Sequence, residues 1–308
     1  MSASDAVVLG VQVAGAGLAP ALPGGVQAVK ARLQGRRGPG ALQPYRELRR
    51  LWGRSAVDPR GTGIAYRAAP PVVAAALALC LLIVPVAVGG VAGPLGNDLV
   101  LVIGLLALAR VAMALSAWDT GAGFGLMGAS RDMTFAVFGE ALLVLVVLLA
   151  SLAAGSTDLR EIVAATSGTA VWAEPAQWCG ALAMGVVVLL ETGRQPIDNP
   201  DTHLELTMIH EGPLLEYAGR DLAYLQWASA ARHWVVLVLA AAVFVPHPSS
   251  TWPGLLAATA SVGLLVAALA VVETWQPKMR LLRVPGLLLT GAGVALVGLV
   301  TWAAGGGA

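Results

Sequence analysis

Apolar residues come in long unbroken runs along this chain, and polar residues gather between them. The runs cover 5–27, 70–90, 98–118, 133–154, 176–191, 230–246, 254–274 and 284–304. Most approach or exceed the roughly 17–25 residues with which a helix crosses a bilayer. None alternates with the period of two that marks a strand. Lipid also admits only structures that satisfy every backbone group internally. The pattern predicts an all-α polytopic membrane protein with about eight transmembrane helices. They are expected to form a single integral membrane domain over 1–308. The first run carries Pro20 and Pro23, so its lower end is expected to be irregular. The sixth is short, and Arg232 and His233 are expected at its interfacial end.

The polar stretches differ sharply from one another. After the first run come Lys30, Arg32, Arg36, Arg37, Arg46, Arg49, Arg50, Arg54, Arg60 and Arg67. Later loops on the same side hold Arg131, then Arg194 and Arg220, then Lys278, Arg280 and Arg283, whereas the opposite side offers only Arg160. Basic loops stay inside. With an even number of spans, both termini are expected outside, in a cell (plasma) membrane, with the basic loops cytoplasmic. The N-terminus lacks a basic n-region and reads as a retained first span.

Within the first basic loop, Leu42, Tyr45, Leu48, Leu51 and Trp52 recur at helical spacing, with Arg46, Arg49, Arg50 and Arg54 on the other side. That predicts a short amphipathic helix on the membrane surface. It reads either as an anchor on anionic lipid or, with Arg36 and Arg37 beside Gly38-Pro39, as a floor for a soluble subunit. Both readings stay open.

The long cytoplasmic loop between spans five and six is the densest titratable stretch. From Glu191 to Trp227 it holds seven of the chain's 18 carboxylates. Asn199-Pro200 predicts a helix start and Gly212-Pro213 its stop, with His203, Thr207, His210 and Glu211 on one face. A second short helix from Leu214 would pair Glu216 with Arg220. Pro196 is expected to end the fifth span. The interleaved apolar residues favour partial burial over a solvated acidic loop. Carboxylates placed so, near arginines, can exchange protons at neutral pH.

Composition narrows the function. The chain is 57% hydrophobic and 12% charged, with a mean hydropathy of +0.76, against about 25% charged in soluble domains. Cys80 and Cys179 stand alone in apolar runs and read as packing residues, so no iron–sulfur centre belongs to this chain. His203 and His210 are seven apart with no HExxH, so no metal site is expected, and no catalytic residue is assigned. The glycine-rich loop 119–132 lacks a Walker pattern. Nothing points to nucleic acid.

Charge inside the apolar runs is costly in lipid and marks candidate sites. Arg110 and Glu140 each lie about two turns inside their spans. Glu191 and Glu273 close the fifth and seventh on the cytoplasmic side. Glu140 is expected to carry protons, with Arg110 as its basic partner. A static ion pair is the alternative.

The loop motifs resemble a family. E-x-x-R-x-P-x-D at Glu191, Arg194, Pro196 and Asp198, then E-Y-x-G at Glu216, Tyr217 and Gly219, is similar to the complex I subunit 1 family. So are Arg32, Gln34, Arg36, Gly38 and Pro39, the run Gln43-Pro44-Tyr45-Arg46, and Gly128-Ala129-x-Arg131. The segments Asp198–Glu211 and Trp118–Met133 resemble the hydrogenase branch, namely formate hydrogenlyase subunit 4 and the hydrogenase-4 membrane subunit. The resemblance implies a membrane-anchoring and coupling subunit that links electron transfer in peripheral partners to proton movement. The implied partners are a hydrogenase-like large subunit, a small iron–sulfur subunit, antiporter-like membrane subunits and the lipid bilayer. Nickel-iron and iron–sulfur centres would sit in those partners, and a quinone is allowed. An NADH:quinone oxidoreductase-like subunit and a purely structural anchor are the alternative readings. The proton-coupling candidates are Glu140, Arg110, Glu191, Arg194, Asp198, Glu205, Glu211, Glu216 and Glu273. The docking candidates are Arg32, Arg36, Arg37, Gln43, Tyr45, Arg46, His203, His210 and Arg131.

Overall fold

Proline decides where the first apolar run breaks. In the computed structural model, which describes residues 3–86, 96–198, 208–248 and 250–305, the run is two helices, α1 (Ala3–Leu18) and α2 (Ala21–Leu33). Pro20 has no N–H to give the Ala16 carbonyl four residues back. Trp227 Nε1 supplies the donor at 3.0 Å, and Tyr45 Oη reaches the Gly17 carbonyl at 2.6 Å.

The remaining helices follow in order. They are α3 (Gln43–Trp52), α4 (Ile64–Ile83), α5 (Leu99–Thr120), α6 (Gly123–Ala154), α7 (Leu159–Thr166), α8 (Pro175–Glu191), α9 (Gly219–Phe244), α10 (Thr251–Trp275) and α11 (Val284–Ala304). Among the described residues no strand is formed. Six of these helices are long and apolar enough to cross a membrane, and α8 is a shorter apolar helix. The most apolar stretch of α9 is 78% buried, against 33% for α10 and 22% for the last helix. So α9 is the axis. It packs against α2, α3, α4, α8 and α10.

Three boundaries differ from expectation. The glycine-rich segment 119–132 is not a loop, because α6 starts at Gly123. Gly128 within it serves close approach, since a Cβ there would lie 2.9 Å from Gly212 Cα. The sixth span does not start near 230. Helix α9 starts at Gly219, so Arg232 and His233 lie in mid-helix. No helix starts at Leu214 either. A 3-10 turn, Gly212–Leu214, precedes α9, and residues 208–211 are not helical. The expected helix start at Asn199-Pro200 lies outside the described residues, as do His203 and Glu205.

The connections sort into two ends. Met279 N–H donates to the Pro196 carbonyl at 2.8 Å, Arg131 to the Met208 carbonyl at 3.1 Å, and Gly63 N–H to Asp119 at 2.9 Å. These bonds gather the basic loops at one end. At the other, Leu99 N–H donates to Thr157 O at 3.0 Å and Leu159 N–H to Asn97 O at 2.8 Å.

A buried charge network and the cavity above it

Helix α8 ends in a way that aims two charges. Arg194 N–H bonds the Leu189 carbonyl and Gly193 N–H bonds that of Leu190, at 3.2 and 3.0 Å. That is a Schellman cap, which needs a left-handed residue just past the helix. Gly193 supplies it with φ 59°. The cap ends the helix before Pro196, which was expected to do so. It leaves Glu191 on the last turn and folds Arg194 back over it. Both are buried.

Glu191 sits between two arginines. Arg110 Nη2 is 2.6 Å from Oε1, and Arg232 Nη1 is 2.8 Å from Oε2. The rest of the Arg110 guanidinium faces Glu140 at 3.1 Å and Asp132 at 3.7 Å. A planar guanidinium can serve several acceptors at once, which an ammonium does less well. Helices α5 and α6 and the end of α8 thus meet on one buried cation.

Next to this lies a second set. Arg194 Nη1 is 3.2 Å from Glu273 Oε1, and Lys30 Nζ is 3.3 Å from Glu273 Oε2. Arg194 Nε donates to His233 Nε2 at 3.1 Å. That nitrogen is therefore unprotonated, and Nδ1, 3.1 Å from the Ser229 carbonyl, carries the hydrogen. The two sets are joined by neighbours: Glu191 and Arg194 at the end of α8 bond Arg232 and His233 on α9.

Above them lies the carboxylate of Asp198. It receives Lys278 Nζ at 2.9 Å and the N–H groups of Ile209 and His210 at 3.2 and 3.3 Å. Burial favours its neutral form, but His210 and Lys278 outweigh that and hold it below the usual carboxylate range. His210 faces Asp198 and Asp132 at 3.5 and 3.6 Å. Burial disfavours its charged form too. The two carboxylates prevail and hold the imidazole above its ordinary value.

A cavity of about 610 Å³ opens over these groups. Its floor is charged, with Arg110, Glu191, Arg194 and Arg232. Its walls are apolar and come from α2, α3, α4 and the 208–215 segment, through Pro23, Leu48, Leu77 and Leu214 among others.

The sequence candidates divide accordingly. Arg110, Glu140, Glu191, Arg194, Asp198 and Glu273 come together in the network. Glu211 lines the cavity. Glu216 stands apart, with its backbone carbonyl accepting from Tyr66 Oη at 2.9 Å. Arg32, Arg36, Arg37 and Arg46 are exposed. Gln43 donates to Glu47 at 2.9 Å. Tyr45, expected to face a partner, is spent on the α1–α2 break, and Arg131 and His210 turn inward. Lys30, Asp132, Arg232, His233 and Lys278 were not among the candidates. Of these, only Arg232 and His233, charged or polar inside an apolar run, gave a signal in sequence.

The NADH dehydrogenase family profile matches residues 7–303. The chain belongs to the NADH dehydrogenase family, complex I subunit 1 type. Within this family it is 33% identical over 291 residues to formate hydrogenlyase subunit 4 of Escherichia coli (strain K12), covering 92% of this chain and 94% of that protein. It is also 33% identical to hydrogenase-4 component C of the same organism, covering 94% and 92%. A chain of the membrane-bound sulfane sulfur reductase, an archaeal respiratory membrane complex, shares the fold with a TM-score of 0.80 at 19% identity, covering 97% of this chain and 99% of that chain. The family resemblance carried by the loop motifs is thus shown, and this is a membrane subunit of the complex I and formate hydrogenlyase type.

Proposed function

We propose that this chain is the membrane-anchoring and coupling subunit of a hydrogenase or formate hydrogenlyase-type complex, linking electron transfer in peripheral subunits to proton translocation. One observation carries the reading. Arg110, Glu140, Glu191 and Arg232 form one set, and Arg194, His233, Glu273 and Lys30 form a second beside it, in or at the ends of the helices, with pair distances of 2.6 to 3.3 Å. Ionisable groups are retained at such depth where ions or protons pass. The network begins under a cavity at the basic end. It reaches outward at Glu140, whose side chain is 39% exposed. Val137 and Val144, one turn away on either side, are exposed too. A half-open carboxylate on an apolar face is costly unless a neighbour covers it. An antiporter-like membrane subunit taking protons there fits that geometry.

In this reading α1–α2 count as one crossing and α8 as another, giving about eight crossings of a plasma membrane. The basic connections are cytoplasmic and both termini lie outside. Helix α3 lies on the membrane surface. The exposed Arg32, Arg36, Arg37 and Arg46 form the floor for the peripheral large subunit and the small iron–sulfur subunit, which hold the nickel-iron and iron–sulfur centres.

The test is purification of the tagged complex from membranes. Nickel-iron-type and iron–sulfur subunits are expected to co-purify, and charge reversal of Arg36 and Arg37 to release them. Unchanged co-purification after the reversal removes the docking role. In proteoliposomes, Arg194→Met is expected to keep assembly and lose proton movement per turnover. Normal proton movement refutes the coupling role.

The cavity favours a second reading, a quinone-site subunit of an NADH:quinone oxidoreductase-like complex. Apolar walls over a floor of hydrogen-bond donors fit an isoprenoid chain and a carbonyl head. NADH-oxidising modules in the purified complex would decide for it.

A further inference from the structure

One group in the α8–α9 connection is left uncommitted by the pairings of the network. His210 Nδ1 is 3.5 Å from Asp198 Oδ2, and Nε2 is 3.6 Å from Asp132 Oδ1. Those are ion-pair distances, longer than hydrogen bonds. Both ring nitrogens are buried, and neither has a hydrogen-bond partner among the described residues. The backbone that carries the ring is nevertheless held in place. The His210 N–H is bonded to Asp198, and Arg131 holds the Met208 carbonyl two residues before it. Gly193 leaves room for the ring, since a Cβ there would lie 3.0 Å from Nδ1. Buried polar nitrogens normally find partners, so an imidazole aimed at a carboxylate on each side calls for an explanation.

The two carboxylates belong to different sets. Asp198 is anchored by Lys278 in the α10–α11 connection, at 2.9 Å. Asp132 faces Arg110 at 3.7 Å, and Arg110 holds Glu140 and Glu191. The ring therefore spans the gap between the loops of the basic end and the network in the helices. The contrast with His233 is instructive. Arg194 and Ser229 fix that ring in one tautomer, whereas no described residue donates to or accepts from a His210 ring nitrogen in a hydrogen bond.

We propose that His210 carries protons from the Asp198 side to Asp132, and so forms the entry to the intramembrane network; this rests on the coupling function proposed above. A proton arriving on the Asp198 side binds the Nδ1 lone pair and makes the ring an imidazolium. The Nε2 hydrogen then passes to Asp132, which becomes a neutral acid. The ring is left neutral with its hydrogen on Nδ1, and the next cycle starts once the ring has reoriented to present that N–H to the Asp132 side and its bare nitrogen to the Asp198 side. One proton enters, one leaves, and no electron moves. The charges around the ring are mixed in sign. Asp198, Asp132 and Glu191 stand against Lys278, Arg131 and Arg110, with Arg194, Arg232 and His233 behind. Neither protonation form meets a field of one sign.

The experiment uses the whole complex in proteoliposomes, driven with reduced methyl viologen. His210→Gln cannot titrate, and His210→Ala leaves a hole that free imidazole can enter. Protons moved per electron are expected to fall at least about tenfold in both, as general acid–base groups commonly contribute more than that. Added imidazole is expected to restore His210→Ala and not His210→Gln. If the wild type moves protons and His210→Gln matches it, this proposal falls and the coupling function stands. If the wild type moves none, both fall. Loss in both variants with no recovery by imidazole makes the ring structural and also overturns the proposal. A second measurement needs no variant: nitrogen-15 spectra of histidine in the wild-type complex. The His210 ring is expected to pass from the cationic to the neutral form as pH rises, with its midpoint above that of a free imidazole. A ring fixed in one form throughout overturns the proposal.

Discussion

Tyr217 lies flat on Tyr66, with ring centroids 4.3 Å apart and planes 4° from parallel. Its hydroxyl donates to the Tyr66 carbonyl at 2.8 Å. That carbonyl is the one Pro70, inside α4, cannot serve. The same device closes the break at Pro20, where Trp227 serves Ala16. Burial pushes the Tyr217 hydroxyl above its ordinary pKa, so it remains a donor. Tyr217→Phe should leave the Tyr66 carbonyl unpaired and cost about 1–3 kcal/mol. Pro70→Ala restores the missing N–H. Thermal unfolding of the single and double variants should therefore be non-additive, with the double variant losing less than Tyr217→Phe alone.

Much of this was legible in the sequence, and the gaps have physical causes. Hydropathy found the apolar helices because lipid and protein interior both select the same residues. It placed the start of α9 eleven residues late, at 230 rather than Gly219. It counts Arg220 and Asp221 against a span, yet both stand in the first turn of α9, where a helix begins before its apolar stretch does. Glycine misled in the same way. Gly123, Gly125 and Gly128 read as a loop, yet they are helical, and Gly128 is small because Gly212 and Pro213 press on it. Intramembrane charge did reveal Arg110, Glu140 and Glu191. Lys30 and Lys278 looked like ordinary basic loop residues, because burial of a charge at a helix end depends on a partner distant in sequence.

Gly219 is set by two constraints at once. Its φ is 57°, and a Cβ there would run into the Ser55 carbonyl. A backbone oxygen cannot swing aside as a side-chain tip can. Gly219→Ala should strain the backbone and push the 53–63 loop off the start of α9. Yield of assembled protein should fall severely. Gly104→Ala, in a helix with open space around the position, should be neutral or slightly stabilising. Equal yields for the two would refute the packing argument.

The 208–211 segment should loosen as pH rises. The carboxylates of Asp198 and Asp132 hold the His210 pKa above its ordinary value of 6.5. A group with a raised folded pKa stabilises fully below its unfolded value, and that stabilisation is lost as pH passes through the folded one. Hydrogen exchange at Ile209 and His210, whose N–H groups bond Asp198, should therefore accelerate from about pH 6.5 upward, beyond the intrinsic base catalysis. His210→Gln should remove that extra dependence. Protection that is flat with pH in the wild type would show that the ring does not hold the segment.

Glu191 and Glu140 both pair with Arg110, and their removal should differ greatly. Glu191 is 4% exposed and also neutralises Arg232. Glu191→Gln leaves two guanidinium groups short of charge in a buried site, where breaking a pair costs about 3–5 kcal/mol. Glu140 is partly open, and without it Arg110 keeps Glu191 and Asp132. Glu140→Gln should cost about 1 kcal/mol or less. So Glu191→Gln should impair assembly and lower the unfolding temperature, and Glu140→Gln should assemble normally. If Glu140 acted only as a static lock between α5 and α6, its loss would be felt in assembly as well. Proton movement in the assembled Glu140→Gln complex then separates the roles. A complex that is stable and moves no protons assigns Glu140 to the path. A complex that is stable and moves protons as the wild type does removes Glu140 from the path while leaving Glu191 as its structural keystone.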